Sequence, residues 1–262
     1  MALHSTQIGS GEPLLLIHGL GSSSRAFNVI SPELAKRFTV VTLDLPGHGQ
    51  SPRDPQQAMD PVSLAQRIFD EMSHLGFENF HLAGNSLGGW IALEMAALNP
   101  DRIKSLIALA PAGLWLIPYP SRVPGAAVSR AMAVSLKSVA PSLLKYDWAK
   151  KIGFGLVSPK WRELPMDVLI NATEDMGTSE GYFPAWDAFL GARFDGAISS
   201  SVPTTIIFGD ADNTLPARTS QERSLVPAHA RWIVLSECGH APMWDQPEAV
   251  VAEIFATAGI LK

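Results

Sequence analysis

Six short apolar runs recur along this chain, each bounded by Gly or Pro: PLLLIHG (13–19), FTVVTLDLPG (38–47), NFHLAGNS (79–86), IKSLIALAP (103–111), VPTTIIFGD (202–210) and ARWIVLSECG (230–239). They are continuous in Val, Ile and Leu rather than alternating. Continuous runs suit strands covered on both faces, as in a parallel sheet, whereas alternation marks a sheet with one wet face. Helix-like stretches lie between them: SPELAKRF (31–38) opens on Ser-Pro, DPVSLAQRIFDEMSHLG (60–76) opens on Asp-Pro and closes on Gly76, and SLGGWIALEMAALNP ends before Pro100. The alternation predicts an α/β fold, a doubly wound, mostly parallel β-sheet flanked by helices.

The rhythm breaks once. Residues 112–200 offer helix-like patches, prolines and aromatics but no convincing strand. A stretch this long exceeds any ordinary connection, so the expected division is a core domain of residues 1–111 and 201–262 with a helical cap insertion at 112–200.

Composition excludes several classes. Apolar residues make up 47% and charged residues 17%, which describes a core-rich globular chain. A net charge of −5 gives no basic footprint for nucleic acid. The single cysteine, Cys238, rules out an internal disulfide framework. The start MALHSTQIGSGE lacks the basic flank and apolar run of a secretory signal, and Pro111, Pro118 and Pro120 interrupt the stretch 105–121 that could otherwise suggest a membrane span. The expectation is a cytoplasmic monomer or homodimer whose partner is a small molecule, with neither nucleic acid nor membrane.

Gly84-Asn85-Ser86-Leu87-Gly88 fits G-x-S-x-G, directly after one run and before a helix-like stretch. A turn this tight strains its central residue, and the positions two before and two after must lack side chains for helix and strand to pass. The strain lifts the Ser86 hydroxyl to a helix N-terminus, where developing negative charge is favoured. The plainer alternative is a glycine-rich helix start with a capping serine.

A serine at its own pKa is a weak nucleophile and needs a base, which in turn needs an orienting acid. In this architecture the chain order is Ser, Asp or Glu, then His, each beyond a strand end. His240 in LSECGHAP follows the last run and is the expected base; His229 in VPAHARW precedes that run and lies at the wrong end. The penultimate run leads into GDADNTLP, where Asp212 is the preferred acid and Asp210 the turn or cap residue. Two backbone N–H donors complete an oxyanion hole: Leu87, after the serine, and Leu20, in the loop HGLGSSS. His18 is read as a loop-packing residue.

With these pieces in order (HGLGSSS, LDLPGHGQS at 43–51, GNSLGG, GDADNTLP and CGHAP), the chain resembles the α/β-hydrolase fold family, serine esterase branch, over nearly its whole length. The resemblance implies a central mostly parallel sheet, a helical cap, and hydrolysis with neither cofactor nor metal. Relatives that open epoxides or displace halide carry Asp where Ser86 stands, so those reactions are not implied. Within the family the chain is similar to pimeloyl-carrier-protein methyl esterases, enol-lactone hydrolases and cofactor-free haloperoxidases. The GNS elbow and GHAPMWDQPE also resemble hydrolases that cleave C–C bonds in ring-fission diketones. No motif separates these. The preferred reading is a carboxylesterase that forms an acyl-enzyme from a small to mid-sized, largely apolar acyl or aromatic substrate, its activity falling as the imidazole protonates.

Two rivals differ in class. HGLGSSS followed by Asp44, 25 residues after Gly19, is similar to a dinucleotide fingerprint, but Ser24 stands at the third glycine and that scheme leaves Ser86, Asp212 and His240 unused. Asp44 is then a turn residue. A catalytically inactive hydrolase fold serving as a binding module is expected to lack a triad member, and all three are present.

Charge in the insertion is uneven. Residues 112–162 hold Arg122, Arg130, Lys137, Lys145, Lys150, Lys151, Lys160 and Arg162 against Asp147, while 163–200 hold Arg193 against seven acids. Mutual pairing or solvation is the simpler reading; the sharper one has the basic half face an acidic substrate or acyl carrier. Trp115, Trp148, Trp161, Phe183 and Trp186 are expected to cover the serine, with Trp244 bordering the site.

Overall fold

The computed structural model describes residues 2–260. Seven strands form one sheet: β1 (Ser5–Gly9), β2 (Glu12–Ile17), β3 (Phe38–Leu43), β4 (Phe80–Asn85), β5 (Ile103–Leu109), β6 (Thr204–Gly209) and β7 (Arg231–Leu235), in the order β1-β3-β2-β4-β5-β6-β7. Only β1 runs antiparallel to its neighbour, Ser5 facing Leu43 and Gly9 facing Thr39; every other pair is parallel.

The helices are α1 (Ser31–Leu34), α2 (Pro61–His74), α3 (Leu87–Leu98), α4 (Pro124–Leu136), α5 (Ala140–Leu143), α6 (Asp147–Phe154), α7 (Met166–Thr178), α8 (Tyr182–Ala188), α9 (Ala217–Ser220), α10 (Pro242–Asp245) and α11 (Pro247–Thr257). No helix of the described residues is long and apolar enough to cross a membrane.

The continuous runs have a direct cause in the packing. Successive residues of one strand enter opposite cores: Leu15, Ile17, Val41, Leu82 and Leu106 pack with α2 and α3, while Leu14, Leu16, Val40, Ala83 and Ile107 pack with Phe27, Leu34 and α11. With both faces covered, both parities are mainly apolar, and the polar exceptions such as His81 with Ser105 are hydrogen-bonded to each other.

The insertion between β5 and β6 carries helices α4 to α8 and no strand among its described residues. It begins where Ala110, at φ 41°, turns the chain out of the sheet, which ends the run at Leu109. The helix expected at 31–38 is only the turn Ser31–Leu34, because the chain must straighten in time to seat fully buried Phe38 at the head of β3.

Candidate active site

Ser86 occupies the crossing of β4 into α3 at φ 56° and ψ −116°, a left-handed strain that its surroundings over-determine. Its amide donates to the Leu109 carbonyl at 2.9 Å, and its own carbonyl accepts from Trp90 at 3.1 Å and Ala112 at 2.9 Å. A Cβ on Gly84 would lie 2.2 Å from the Gly88 carbonyl oxygen, and one on Gly88 would lie 2.2 Å from that of Ile17. Only glycine fits at either place.

Three separated segments converge on this serine. Ser86 Oγ lies 2.9 Å from His240 Nε2, and His240 Nδ1 lies 2.9 Å from Asp212 Oδ2. A carboxylate can only accept, so the Nδ1 hydrogen points at Asp212 and Nε2 presents its lone pair to the Ser86 hydroxyl. The other Asp212 oxygen accepts the amides of Thr214 at 2.9 Å and Leu215 at 2.7 Å. Burial pushes the Asp212 carboxyl up, but the His240 charge, the His240 hydrogen bond and the two amides outweigh it and hold the group below the usual range. It is the ionised member of the set.

The remaining candidates sit elsewhere. Asp210 accepts from the Ser236 hydroxyl at 3.1 Å and the Cys238 amide at 3.3 Å, tying the loops after β6 and β7 together. His229 contacts the Val202 carbonyl at 3.1 Å, at the entry ends of β6 and β7, opposite to His240. Asp44 is buried and accepts the amides of Ser24 at 2.7 Å and Gln50 at 2.8 Å, a structural role that ties the loop after β2 to its own turn. His18 donates from Nδ1 to the Gly19 carbonyl and accepts the Leu45 amide at Nε2, at 2.8 and 2.9 Å.

Leu87 opens α3, so its N–H has no intrahelical acceptor. The loop after β2 lies directly against the serine, since a Cβ on Gly19 would fall 3.0 Å from Ser86 Cβ. Leu20 and Leu87 both border the cavity into which Ser86 and His240 open. Among the described residues no group of three or more His, Cys, Asp or Glu could hold a metal ion.

The cavity measures about 660 Å³, and none of its lining residues is Asp, Glu, Lys or Arg. Trp115, Trp148, Trp186 and Trp244 line it, together with Met176 and Leu215. Trp161 and Phe183 do not, contrary to expectation. The Arg122 guanidinium covers the Phe183 ring at 4.3 Å and that of Arg162 covers the Trp161 ring at 4.4 Å, so cation–π stacking holds both rings elsewhere. Arg122 also forks onto Asp187, joining the basic and acidic halves of the insertion, and Arg130 donates to the Met176 and Ser179 carbonyls.

A family profile described as alpha/beta hydrolase fold matches residues 12–247. The chain belongs to the α/β-hydrolase fold family. Relatives of this hydrolase include "Lipase 1" of Psychrobacter immobilis, 27% identical over 97% of this chain and 78% of that protein. A pimeloyl-[acyl-carrier protein] methyl ester esterase of Legionella pneumophila (strain Lens) is 27% identical over 96% of this chain and 97% of its own. Among solved structures, a bacterial membrane phospholipase A superposes with a TM-score of 0.73 at 25% identity, covering 98% of this chain and 86% of that one. The meta-cleavage product hydrolase of Pseudomonas fluorescens IP01 shares the fold at a TM-score of 0.73 and 19% identity, covering 98% and 94%.

Several residues of this hydrolase that shape the site gave no separate signal in the sequence. Asn85 Nδ2 donates to the carbonyls of Leu109 at 3.1 Å and His240 at 3.0 Å, fastening the histidine loop to the serine turn. Buried Asp245 accepts the Gly239 amide at 2.7 Å on one oxygen and the Ser158 hydroxyl on the other. Burial raises its carboxyl despite those two bonds.

Proposed function

We propose that this α/β hydrolase is a cofactor-free carboxylesterase that works through an acyl-enzyme. Ser86 attacks the ester carbonyl as His240 Nε2 takes its proton, and the imidazolium then gives that proton to the leaving alcohol. Asp212 orients the ring and offsets its charge. The amides of Leu20 and Leu87 receive the oxyanion. Water, deprotonated by His240, releases the acid and restores Ser86. Helices α4 to α8 act as a cap over the cavity.

The observation that carries this reading is the 2.9 Å approach of Ser86 Oγ to His240 Nε2 at the wall of an uncharged, aromatic-lined cavity. Geometry precedes pKa in choosing a general base, and here the distance is already that of a productive pair. The cavity volume suits a mid-sized apolar acyl or aromatic group. The esterase and lipase names carried by full-length relatives support the same reaction class.

The test is a panel of p-nitrophenyl esters of increasing chain length, with enol-lactones and ring-fission diketones as further arms, run on wild type and Ser86→Ala. Ester turnover that needs Ser86, with an acyl adduct on the Ser86 peptide by mass spectrometry, is the expected result. Turnover confined to the diketone or lactone arms, or ester turnover unchanged in Ser86→Ala, refutes it.

A further inference from the structure

The insertion presents a surface that hydrolysis itself does not require. Trp148, Ile152 and Leu156, at four-residue spacing along α6 and the turn after it, are 59%, 60% and 69% exposed, yet all three also line the cavity. Met132 and Leu136 of α4 repeat the pattern, both partly exposed and both on the cavity wall. The mouth of the cavity therefore opens within apolar surface. The segment that carries these side chains is mostly basic. Between residues 122 and 162 eight Lys and Arg stand against Asp147 alone, and Arg162 holds Asp147 at 3.0 Å. Lys145 and Lys151, each three residues from Trp148, are exposed and have no carboxylate partner among the described residues.

We infer that this rim docks on an anionic lipid surface and that amphiphilic acyl esters pass from that surface directly to Ser86. The substrate class rests on the esterase reading above; the docking does not. Aromatic and aliphatic side chains beside lysines are what a helix needs to lie at a lipid–water boundary, the apolar groups entering the acyl layer and the ammonium groups reaching back to headgroup phosphates. The prolines at 111, 118 and 120 exclude a span, but a surface contact needs none. A second copy of this chain fits poorly, because two-fold pairing would set these lysines against themselves. An acidic carrier protein would satisfy the lysines and leave the apolar stripe in water.

The experiment is co-sedimentation of full-length Ser86→Ala protein with vesicles of phosphatidylcholine, alone or with roughly 30 mol% phosphatidylglycerol. Partition at least about tenfold stronger on the anionic vesicles is expected, weakening with added salt. Lys145→Glu with Lys151→Glu, and separately Ile152→Asp, should each lower it about tenfold. In otherwise wild-type protein the lysine pair should leave turnover of a soluble short-chain ester unchanged, since neither side chain lines the cavity. Equal or no sedimentation with the two vesicle types overturns the inference, as does a lysine variant that binds like its parent. A dimer in light scattering that Ile152→Asp splits assigns the rim to a second copy instead and also overturns it. Vesicle binding with no Ser86-dependent hydrolysis leaves the docking standing and the esterase reading refuted; the reverse result does the opposite.

Discussion

The amide of His240 donates to the carbonyl of Val157 at 2.7 Å, so a residue of the insertion holds the backbone of the histidine loop. Gly239 passes against the same carbonyl, and Asp245 clamps the Gly239 amide while taking the Ser158 hydroxyl. The insertion thus sets the position of the imidazole as well as lining the cavity. Substitutions far from Ser86 in sequence should register in its reactivity.

Gly239→Ala tests that coupling. The added Cβ would lie 2.2 Å from the Val157 carbonyl oxygen and 3.0 Å from Pro159, leaving no route but displacement of the loop. Misplacing a general base by about 1 Å costs on the order of a hundredfold in kcat. Overpacking should lower stability by about 1–3 kcal/mol. Ester kinetics and thermal unfolding of the variant check both, with KM expected to change little.

Asp212→Asn should be worse for chemistry and milder for the fold. The amides of Thr214 and Leu215 will keep the side-chain oxygen of Asn, which turns its NH2 toward His240. Nδ1 must then accept, Nε2 carries the hydrogen, and the ring can no longer take the Ser86 proton. A fall in kcat of roughly 10⁴-fold is expected, by the tautomer argument, with a near-native circular dichroism spectrum. A variant within tenfold of wild type would contradict the assignment of Asp212.

Asp175 tests the other side of the cavity. It is buried on α7 and accepts from the Ser23 hydroxyl at 2.6 Å and from the Arg25 guanidinium, which also reaches Glu174 at 3.3 Å and Asn171 at 2.8 Å. Removing it by Asp175→Ala strands a buried hydroxyl and most of an ion pair. Because Arg25 is partly exposed and keeps two partners, a loss of roughly 2 kcal/mol is expected rather than the full cost of a broken buried pair. The loop bearing Leu20 precedes these residues, so kcat should fall by about tenfold, while Glu174→Ala should leave it near wild type.

Two fully buried histidines outside the reaction, His18 and His48, should make the fold acid-sensitive, alongside His81, which burial also lowers. Burial lowers His48 to about 3, reinforced by the charge of His18 and opposed by its bond to the Pro46 carbonyl. Burial likewise lowers His18. Unfolded, both titrate near about 6.5, so below that pH the unfolded chain binds more protons than the folded one. Stability therefore rises with pH through this window and falls on acidification, by up to about 1.4 kcal/mol per pH unit for each histidine. Thermal melts between pH 7 and pH 5 (roughly the upper part of that window) should show the decline, and His48→Gln should make it shallower. Asp212, whose carboxyl is lowered, adds its own loss at more acid pH, as protonation removes its partner bonds.

What could be read from the sequence follows physical lines. Five strands announced themselves because both of their faces are buried, and the edge strand β7, only partly covered, because its run is still apolar; β1 did not, since STQIG is short, polar and exposed over four of its five residues. Runs ending in Pro or Gly overshot the strands, as at 38–47, where pairing stops at Leu43 and the chain turns away through Leu45 and Pro46. Ser86, Asp212 and His240 were legible because strand ends dictate their order and spacing. Asn85, Ser158 and Asp245 were not, because each serves through hydrogen bonds to distant backbone or side chains that leave no periodic trace. Trp161 and Phe183 looked like cavity residues by type alone, but each stacks with an arginine, and Trp161 also packs against the cluster around Leu164 and Leu169.

The uncharged lining of the cavity bears on what happens after bond cleavage. On the proposed esterase reading, an acid freed beside Ser86 ionises as it meets water, and the carboxylate would find no counter-ion among tryptophans and methionines to replace that water. Its ionisation would then favour departure of the product, while the neutral ester meets no such penalty. On that reading, turnover would gain a direction from the absence of Lys and Arg at the place where an anion is made.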